Sequence, residues 1–329
     1  MTSPQISVLM TAYNVEPYVG DAIDSILSQS FSDFELLIID DQSTDGTATI
    51  IAERAAEDKR IRVLPSLEKG RVPALNALLA GARAPWIAVM DSDDIALPDR
   101  FEKQMAFLAA NPDCGVLGGM AQNMTEDGTL LPAPESTIEQ THEAIIVDRE
   151  NGIPLRNPTV IARTELLRAV GGYRRPFRFA QDYDLYLRLH TRTRLANLPD
   201  ILLYYRIHPT QVSTRNAMAQ TQSAVVAWLS CKARLEGQPD PVDGLDALPT
   251  VGTLDTLFDM EGADALARHR IVDRIRYSPA MLAGEGFPVL AGYARDTGAS
   301  KDLWRMAVRL LRAGHPLASL KLAMVLARA

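Results

Sequence analysis

The chain has 329 residues, 47 % hydrophobic and 23 % charged, which suits one large catalytic-sized unit with a smaller appendage and excludes disorder, collagen-like repeats and a simple coiled coil. Its net charge of −7, from 34 basic and 41 acidic residues, disfavours a duplex nucleic-acid binder, which needs a basic face to neutralise phosphates. Two cysteines, Cys114 and Cys231, are too few for a disulfide framework or a cysteine-built zinc site and read as buried apolar side chains.

The N-terminus has no basic segment leading into an apolar signal, and no apolar stretch reaches the roughly 18 residues of a spanning helix, so a cytoplasmic chain is expected. Ile6-Ser7-Val8-Leu9-Met10-Thr11-Ala12 predicts a first strand, and Val19, Ile23, Ile26 and Leu27 then share one helical face. Phe34-Glu35-Leu36-Leu37-Ile38-Ile39 is nearly continuous in apolar residues, as a strand covered on both faces should be. A polar turn from Asp41 to Asp45-Gly46 opens a helix carrying Ile50, Ile51 and Ala55. Arg62-Val63-Leu64 is a third strand, residues 74–82 a third helix, and Trp86-Ile87-Ala88-Val89-Met90 a fourth strand. This alternation predicts an α/β fold with a mostly parallel sheet flanked by helices, because parallel neighbours need crossovers.

Residues 99–111 predict another helix, closed by Asn111-Pro112, and short apolar runs follow at 114–120 and 158–162. The flanks of Leu185, Leu187 and Leu189 favour helix, and Tyr204-Tyr205-Arg206 ends a further strand. Composition changes near residue 215, which sets a catalytic domain over 1–215 and a mainly helical C-terminal region over 216–329. The last stretch carries Lys301, Arg305, Arg309, Arg312, Lys321 and Arg328 against only Asp302, interleaved with Trp304, Leu310, Leu311 and Leu322. It reads as a helical hairpin turned at Gly314-His315-Pro316, packed on the catalytic domain or on a second copy in a homodimer. The alternative is a basic amphipathic helix in peripheral contact with the inner face of an anionic membrane.

Open parallel sheets bind ligands beyond the carboxyl ends of their strands, so the residues just past each strand are the first candidates. Thr11-Ala12-Tyr13-Asn14, Asp40-Asp41 and Asp91-Ser92-Asp93-Asp94 should share one rim. Five carboxylates crowded there repel one another unless positive charge sits among them. Hard oxygen ligands without a Cys or His cluster point to Mg²⁺ or Mn²⁺, which fills its shell with substrate phosphates. No Walker loop and no Gly-x-Gly-x-x-Gly turn follows any predicted strand. Singly, Asp40 and Asp41 also read as helix N-caps and Asp45-Gly46 as an ordinary turn.

The ordered set Ser7-Val8-Leu9-Met10-Thr11-Ala12-Tyr13-Asn14, Glu35-Leu36-Leu37-Ile38-Ile39-Asp40-Asp41-Gln42-Ser43-Thr44-Asp45-Gly46-Thr47, Asp91-Ser92-Asp93-Asp94 and Pro98-Asp99-Arg100 resembles family 2 glycosyltransferases, whose nucleotide-diphospho-sugar transferase fold is called GT-A. Gly171-Gly172-Tyr173, Gln181-Asp182-Tyr183-Asp184-Leu185 and Tyr205-Arg206-Ile207-His208-Pro209 extend the resemblance to about residues 5–215. It implies that Thr11, Ala12, Tyr13 and Asp41 hold the nucleotide base, with Tyr13 stacking and Asp41 accepting from a uracil-type N3–H. Asp91 and Ser92 are then expected near ribose and diphosphate, and Asp93 as the main metal ligand.

Transfer also needs a base for the acceptor hydroxyl, and the resemblance assigns that role to Asp182 at a helix start, with inversion at the anomeric centre. Position 181 is Gln where the family commonly has Glu, which removes a charge near the acceptor. Read alone, Asp182 is rather a helix N-cap ahead of Tyr183-Asp184-Leu185, and Asp184, two residues on, points elsewhere. His208, in a loop after a strand, is expected either as a structural residue or as a further metal ligand, with Arg206 and Ser213 as weaker members of the same loop. Asn157-Pro158-Thr159 resembles a segment near the acceptor pocket. Lys69-Gly70-Arg71 reads either as a phosphate-approaching or as a solvated basic turn, and Asn76 as an internal hydrogen-bonding residue. The resulting expectation is a metal-dependent transferase moving sugar from a UDP-sugar or dTDP-sugar donor to a glycan or lipid-linked acceptor in surface-polysaccharide assembly. The alternatives are a sugar nucleotidyltransferase, which wants a Gly-rich loop after strand one, and a catalytically silent nucleotide-sugar sensor.

Overall fold

The computed structural model describes residues 3–134, 138–208, 211 and 216–328; the candidate Ser213 lies outside them. The chain divides into two compact units, Met1–Pro209 and Thr210–Ala329.

In the first unit the strands are β1 (Ile6–Ala12), β2 (Phe34–Asp40), β3 (Ile61–Val63), β4 (Trp86–Asp91), β5 (Ile95–Ala96), β6 (Cys114–Met124), β7 (Ile161–Arg163) and β8 (Arg194–Arg206). The helices are α1 (Val19–Leu27), α2 (Thr47–Glu57), α3 (Arg71–Gly81), α4 (Arg100–Ala110), α5 (His142–Val147), α6 (Thr164–Ala169) and α7 (Gln181–Leu189). The strands form one sheet in the order β3-β2-β1-β4-β7-β6-β8-β5. β1 pairs in parallel with β2 on one side and β4 on the other, so the chain order reverses at β1. The crevice beyond the ends of β1, β2 and β4 is therefore the topological switch point.

All of β1 and all but the last residue of β2 and of β4 are buried, which is why these segments read as continuous apolar runs. Ile6, Val8 and Met10 pack with Val19, Ile23 and Ile26 of α1 and with Phe34, Leu36 and Ile38 of β2 in one core.

Beyond β4 the sheet becomes mixed. β7 is antiparallel to both β4 and β6, and β6 runs parallel to β8 through several register shifts. The apolar run at 158–162 divides into a 3₁₀ turn, Asn157–Thr159, and β7. The run at 114–120 opens the longer β6. β5 follows β4 after three residues and pairs antiparallel with the end of β8, Ile95 opposite Tyr204. That pairing carries the end of β8 to the Asp91–Asp94 loop.

The second unit is helical among its described residues: α8 (Ala217–Leu235), α9 (Leu254–Phe258), α10 (Ala263–Ile275), α11 (Pro279–Ala283), α12 (Phe287–Thr297), α13 (Lys301–Arg312) and α14 (Pro316–Leu326). Ile271, Ile275, Leu290, Leu303, Leu310 and Leu322 join in its core. Among the described residues no helix is long and apolar enough to cross a membrane. Cys114 and Cys231 are buried and unbridged.

Candidate active site

The loops after β1 and β2 are stitched together by short polar side chains. Asn14, in a left-handed conformation at φ 50°, donates its N–H to Ser43 Oγ at 2.9 Å and accepts the Thr44 N–H on Oδ1 at 2.8 Å. Asp40 accepts from the Ser43 backbone and hydroxyl. Asp45 accepts from the backbones of Glu16 and Thr47. Asp40 and Asp45 thus act on the backbone, as Asx-type turn residues do.

Asp41 is different. Its N–H donates to Ala12 O at 2.7 Å, which ties it to β1. Its carboxylate, 8 % exposed, accepts the Gly70 N–H at 2.9 Å and the Ser66 hydroxyl at 3.3 Å. Next to it Thr11 and Ala12 are buried, whereas Tyr13 is 48 % exposed with Lys69 Nζ 4.7 Å from its ring centroid.

The bond from Asp41 to Gly70 fixes the start of α3, three residues earlier than the sequence indicates. Gly70 stands at φ 133°, a conformation L side chains rarely adopt. The next residue, Arg71, enters the acidic rim. Its guanidinium is ion-paired with the Asp91 carboxylate. It also feels the charges of Asp182 and Asp93, with Asp91 the strongest influence holding its pKa up. Arg71 Nε is buried with no partner among the described residues. The Lys69-Gly70-Arg71 segment is therefore not a solvated basic turn at Arg71.

At the tip after β4, Ser92 and Asp94 are buried and Asp93 is partly exposed. Asp93 Oδ2 lies 2.9 Å from His208 Nε2. Arg206 donates its N–H to Asp94 Oδ1 at 2.9 Å and its Nε–H to the Asp93 carbonyl at 2.9 Å. Its guanidinium stacks 4.9 Å over the Tyr18 ring, and that ring packs 5.1 Å from His208. Tyr18 is held in turn by its hydroxyl donating to Glu126 at 2.8 Å. Burial, with the Asp93 and Asp91 carboxylates beside it, pushes Asp94 well above the ordinary carboxylate range.

Asp93 and His208 fit a divalent ion of the Mg²⁺ or Mn²⁺ type. Asp93 offers a hard carboxylate oxygen and His208 an imidazole nitrogen, and the buried Asp94 Oδ2 has no partner among the described residues. Among those residues no group of three or more His, Cys, Asp or Glu side chains forms a cage. Two such protein ligands would leave most of the shell to phosphate oxygens and water, as is usual for these ions.

Asp182 sits in the first turn of α7. The N-cap is Ala180, left-handed at φ 51°, so Asp182 does not cap the helix. Its Oδ1 accepts the Tyr183 N–H at 2.8 Å. Burial raises its pKa and the Asp91 charge adds to this, against the Tyr183 bond and the Arg71 cation. The walls around it are tyrosines. Tyr186 donates its hydroxyl to Asn157 Oδ1 at 2.8 Å. Tyr173 is clamped through its backbone N–H and carbonyl by Asn76 at 2.9 and 2.8 Å. The clamp requires Gly172 at φ 67°, where a Cβ would come within 2.6 Å of Asn76 Oδ1. Burial and then the Asp182 charge push both phenols above the usual range.

Asp184 lies wholly within the protein and bridges Arg174 and Arg188. Arg100, from the Pro98-Asp99-Arg100 segment, is also structural: it is buried and donates to Val89 O at 2.9 Å. Gln181 is buried.

Asp41, Asp91, Asp93, Asp182 and His208 thus come to one rim, linked by Gly70-Arg71. Arg71 is the member that sequence reasoning undervalued. The carboxylate count asked for positive charge, but no spacing rule connects position 71 with 91 and 182. Glu126 and Tyr18 carried no signal, because they meet beside Arg206, which the β6–β8 pairing sets opposite the end of β6.

A mixed sheet with carboxylates from three strand ends, a basic side chain among them and a second acidic residue on a separate helix defines a GT-A-type transferase. The sequence model described as Glycosyl transferase family 2 matches residues 7–160. The chain is 33 % identical over 241 residues to the putative glycosyltransferase EpsE of Bacillus subtilis, covering 70 % of this chain and 83 % of that one. It is 32 % identical over 238 residues to the O-antigen biosynthesis glycosyltransferase WbnJ of Escherichia coli, covering 69 % and 85 %. The fold is similar to that of S. aureus TarS residues 1–349 in complex with UDP, with TM-score 0.58 and 18 % identity, over 98 % of this chain and 88 % of that one. The chain belongs to glycosyltransferase family 2.

Proposed function

We propose that this chain moves a sugar from a UDP-sugar or dTDP-sugar to an acceptor hydroxyl, with inversion at the anomeric carbon, during polysaccharide assembly. In the reaction the acceptor oxygen bonds to the anomeric carbon as the bond from that carbon to the diphosphate oxygen breaks. The hydroxyl proton passes to the Asp182 carboxylate. The observation that supports this reading is the link from Asp41 through Gly70 and Arg71 to Asp91, with Asp182 within the electrostatic reach of Arg71 and Asp91. It relates the candidate base-binding carboxylate to Asp182, which has no salt bridge among the described residues.

Asp41 retains lone pairs beyond those taken by Gly70 and Ser66, so an imide N–H of uracil or thymine has an acceptor there. Tyr13, exposed on the same loop, supplies a stacking face. Arg71 neutralises Asp91, which keeps the rim from repelling a diphosphate. Asp93 and His208 would hold Mn²⁺ or Mg²⁺. A divalent ion bound there supplies Lewis-acid stabilisation of the departing diphosphate. The TarS complex with UDP supports the donor class, and the O-antigen biosynthesis role given to WbnJ supports a glycan or lipid-linked glycan acceptor.

A panel of UDP-, dTDP- and GDP-sugars with Mn²⁺, read by thermal shift and by slow nucleotide release, tests the proposal. A uracil- or thymine-type donor is expected to stabilise the protein and release its nucleotide, with release lost in Asp93→Ala. Stabilisation by guanine donors alone would overturn the donor assignment. Binding without any transfer would overturn the catalytic one.

A further inference from the structure

The last two helices, α13 and α14, turn at Ala313-Gly314-His315 and share a core through Leu303, Met306, Ala307, Leu310, Ala318, Leu322 and Leu326. That core does not use all their apolar surface. On α13, Trp304, Val308 and Leu311 are 43 %, 47 % and 56 % exposed, and spacings of four and three make one stripe beside the buried face. On α14, Leu317, Leu320 and Met324 are 73 %, 58 % and 46 % exposed at spacings of three and four. Scattered exposed apolar residues are ordinary, but large ones ordered by helical period on two neighbouring helices mark an interaction surface.

The charges beside the stripes specify the partner. Residues 300–328 hold six basic side chains and one acidic, in a chain whose net charge is −7. Lys301, Arg305, Arg312 and Lys321 are exposed. On α13 the first three fall within about 40° of one another, next to the Trp304 stripe. Asp302 is paired with Arg305 at 3.0 Å. Arg309 is tied back to the Arg276 carbonyl at 2.7 Å and stacks on Tyr277, so it belongs to the unit rather than to a partner.

We infer that the α13–α14 hairpin docks this protein on the surface of an anionic lipid bilayer. Apolar stripes enter the boundary between headgroups and acyl chains, Trp304 sits at the depth indoles favour, and the basic rim meets lipid phosphates. A second copy of the chain is a poorer occupant, because a two-fold contact would set basic rims against each other.

The test is co-sedimentation of the full chain with vesicles of phosphatidylcholine alone and with one-third phosphatidylglycerol, with no sugar donor present. Its failure and a failure of the transferase reading are therefore separate results. Binding is expected on the anionic vesicles and to fall with added salt. Arg305→Gln, Arg312→Gln and Lys321→Gln together should weaken it on the order of 100-fold, at roughly fivefold per charge. Trp304→Ser, Leu311→Ser, Leu317→Ser and Leu320→Ser together should weaken it by about 10-fold or more. These side chains are exposed, and circular dichroism verifies that each variant is folded. Absence of binding by the parent chain, equal binding to neutral vesicles, or unchanged binding by the folded variants would overturn the inference. So would a lipid-free dimer that the serine variant converts to monomer.

Discussion

Two aspartates lie two residues apart at the start of α7, and their environments demand opposite responses to the same isosteric change. Asp182→Asn keeps the oxygen that accepts the Tyr183 N–H but removes the base. A positioned base contributes about 10²–10⁴-fold, so kcat should fall by that factor, or roughly 3–5 kcal/mol of barrier, with nucleotide affinity nearly unchanged. Stability should move the other way. Burial raises the folded pKa of Asp182 above its reference of 3.8, so the folded protein binds this proton more tightly than the unfolded chain does. The contribution is fully present below the unfolded value and is lost as pH rises through the folded one. At pH 8 the ionised carboxylate is therefore a cost, and the Asn variant should unfold at a higher temperature than the parent, an advantage that vanishes below about pH 4.

Asp184→Asn removes the anion between Arg174 and Arg188, whose side chains are 13 % and 8 % exposed. Breaking such a buried group costs about 3–5 kcal/mol, or roughly 10 °C in Tm for a unit of this size. Hydrogen exchange of the β1 and β4 amides reports this unit alone. If Asp182→Asn retained most of its kcat, or destabilised the fold at pH 8 as Asp184→Asn does, the assignment of Asp182 as the base would fail.

Arg71→Gln should move the acid limb of the kcat/KM profile to higher pH by about one unit, since an opposite charge at close range is worth that much or more. A rise in KM with an unmoved limb would make Arg71 a phosphate binder only. Asp93→Ala and His208→Ala should each weaken Mn²⁺ binding, measured by the EPR signal of free ion, about 10-fold or more, whereas Asp40→Asn should not. Gly172→Ala should destabilise the unit by about 1–3 kcal/mol through strain and the Asn76 contact, read by chemical denaturation. Asp41→Asn should weaken uridine-nucleotide binding by about 10-fold or more, because the variant can present an amide N–H where the ligand also donates; equal loss for GDP would refute base recognition.

The parallel half of the fold was legible because burial on both faces imposes continuous apolar runs, as in Leu36-Leu37-Ile38-Ile39, and the carboxyl-end rule turns strand ends into site candidates. That logic reached Asp41, Asp91 and Asp93 directly. Asp182 and His208 required the family resemblance, since each lies on a segment whose local pattern is that of an ordinary helix start or loop. In the mixed half the elements at 99–111, 185–189 and 204–206 were legible, but their pairing was not. β5 is two residues long, yet its pairing with Tyr204 and Leu203 carries Arg206 and His208 to Asp93, and no periodicity announces so short a strand.

The least visible feature changes the physical picture most. The carboxylate count alone calls for a divalent ion, but Arg71 already offsets Asp91 through its ion pair and its charge also reaches Asp182 and Asp93. The work left to a metal is then confined to the outer edge, at Asp93 and His208, where a diphosphate would arrive. On the proposed function, charge balance for folding and charge balance for catalysis would be carried by different groups. If the proposed function holds, this division would let Arg71 tune the base, and would let the Asp93–His208 pair exchange an ion without unfolding the rim.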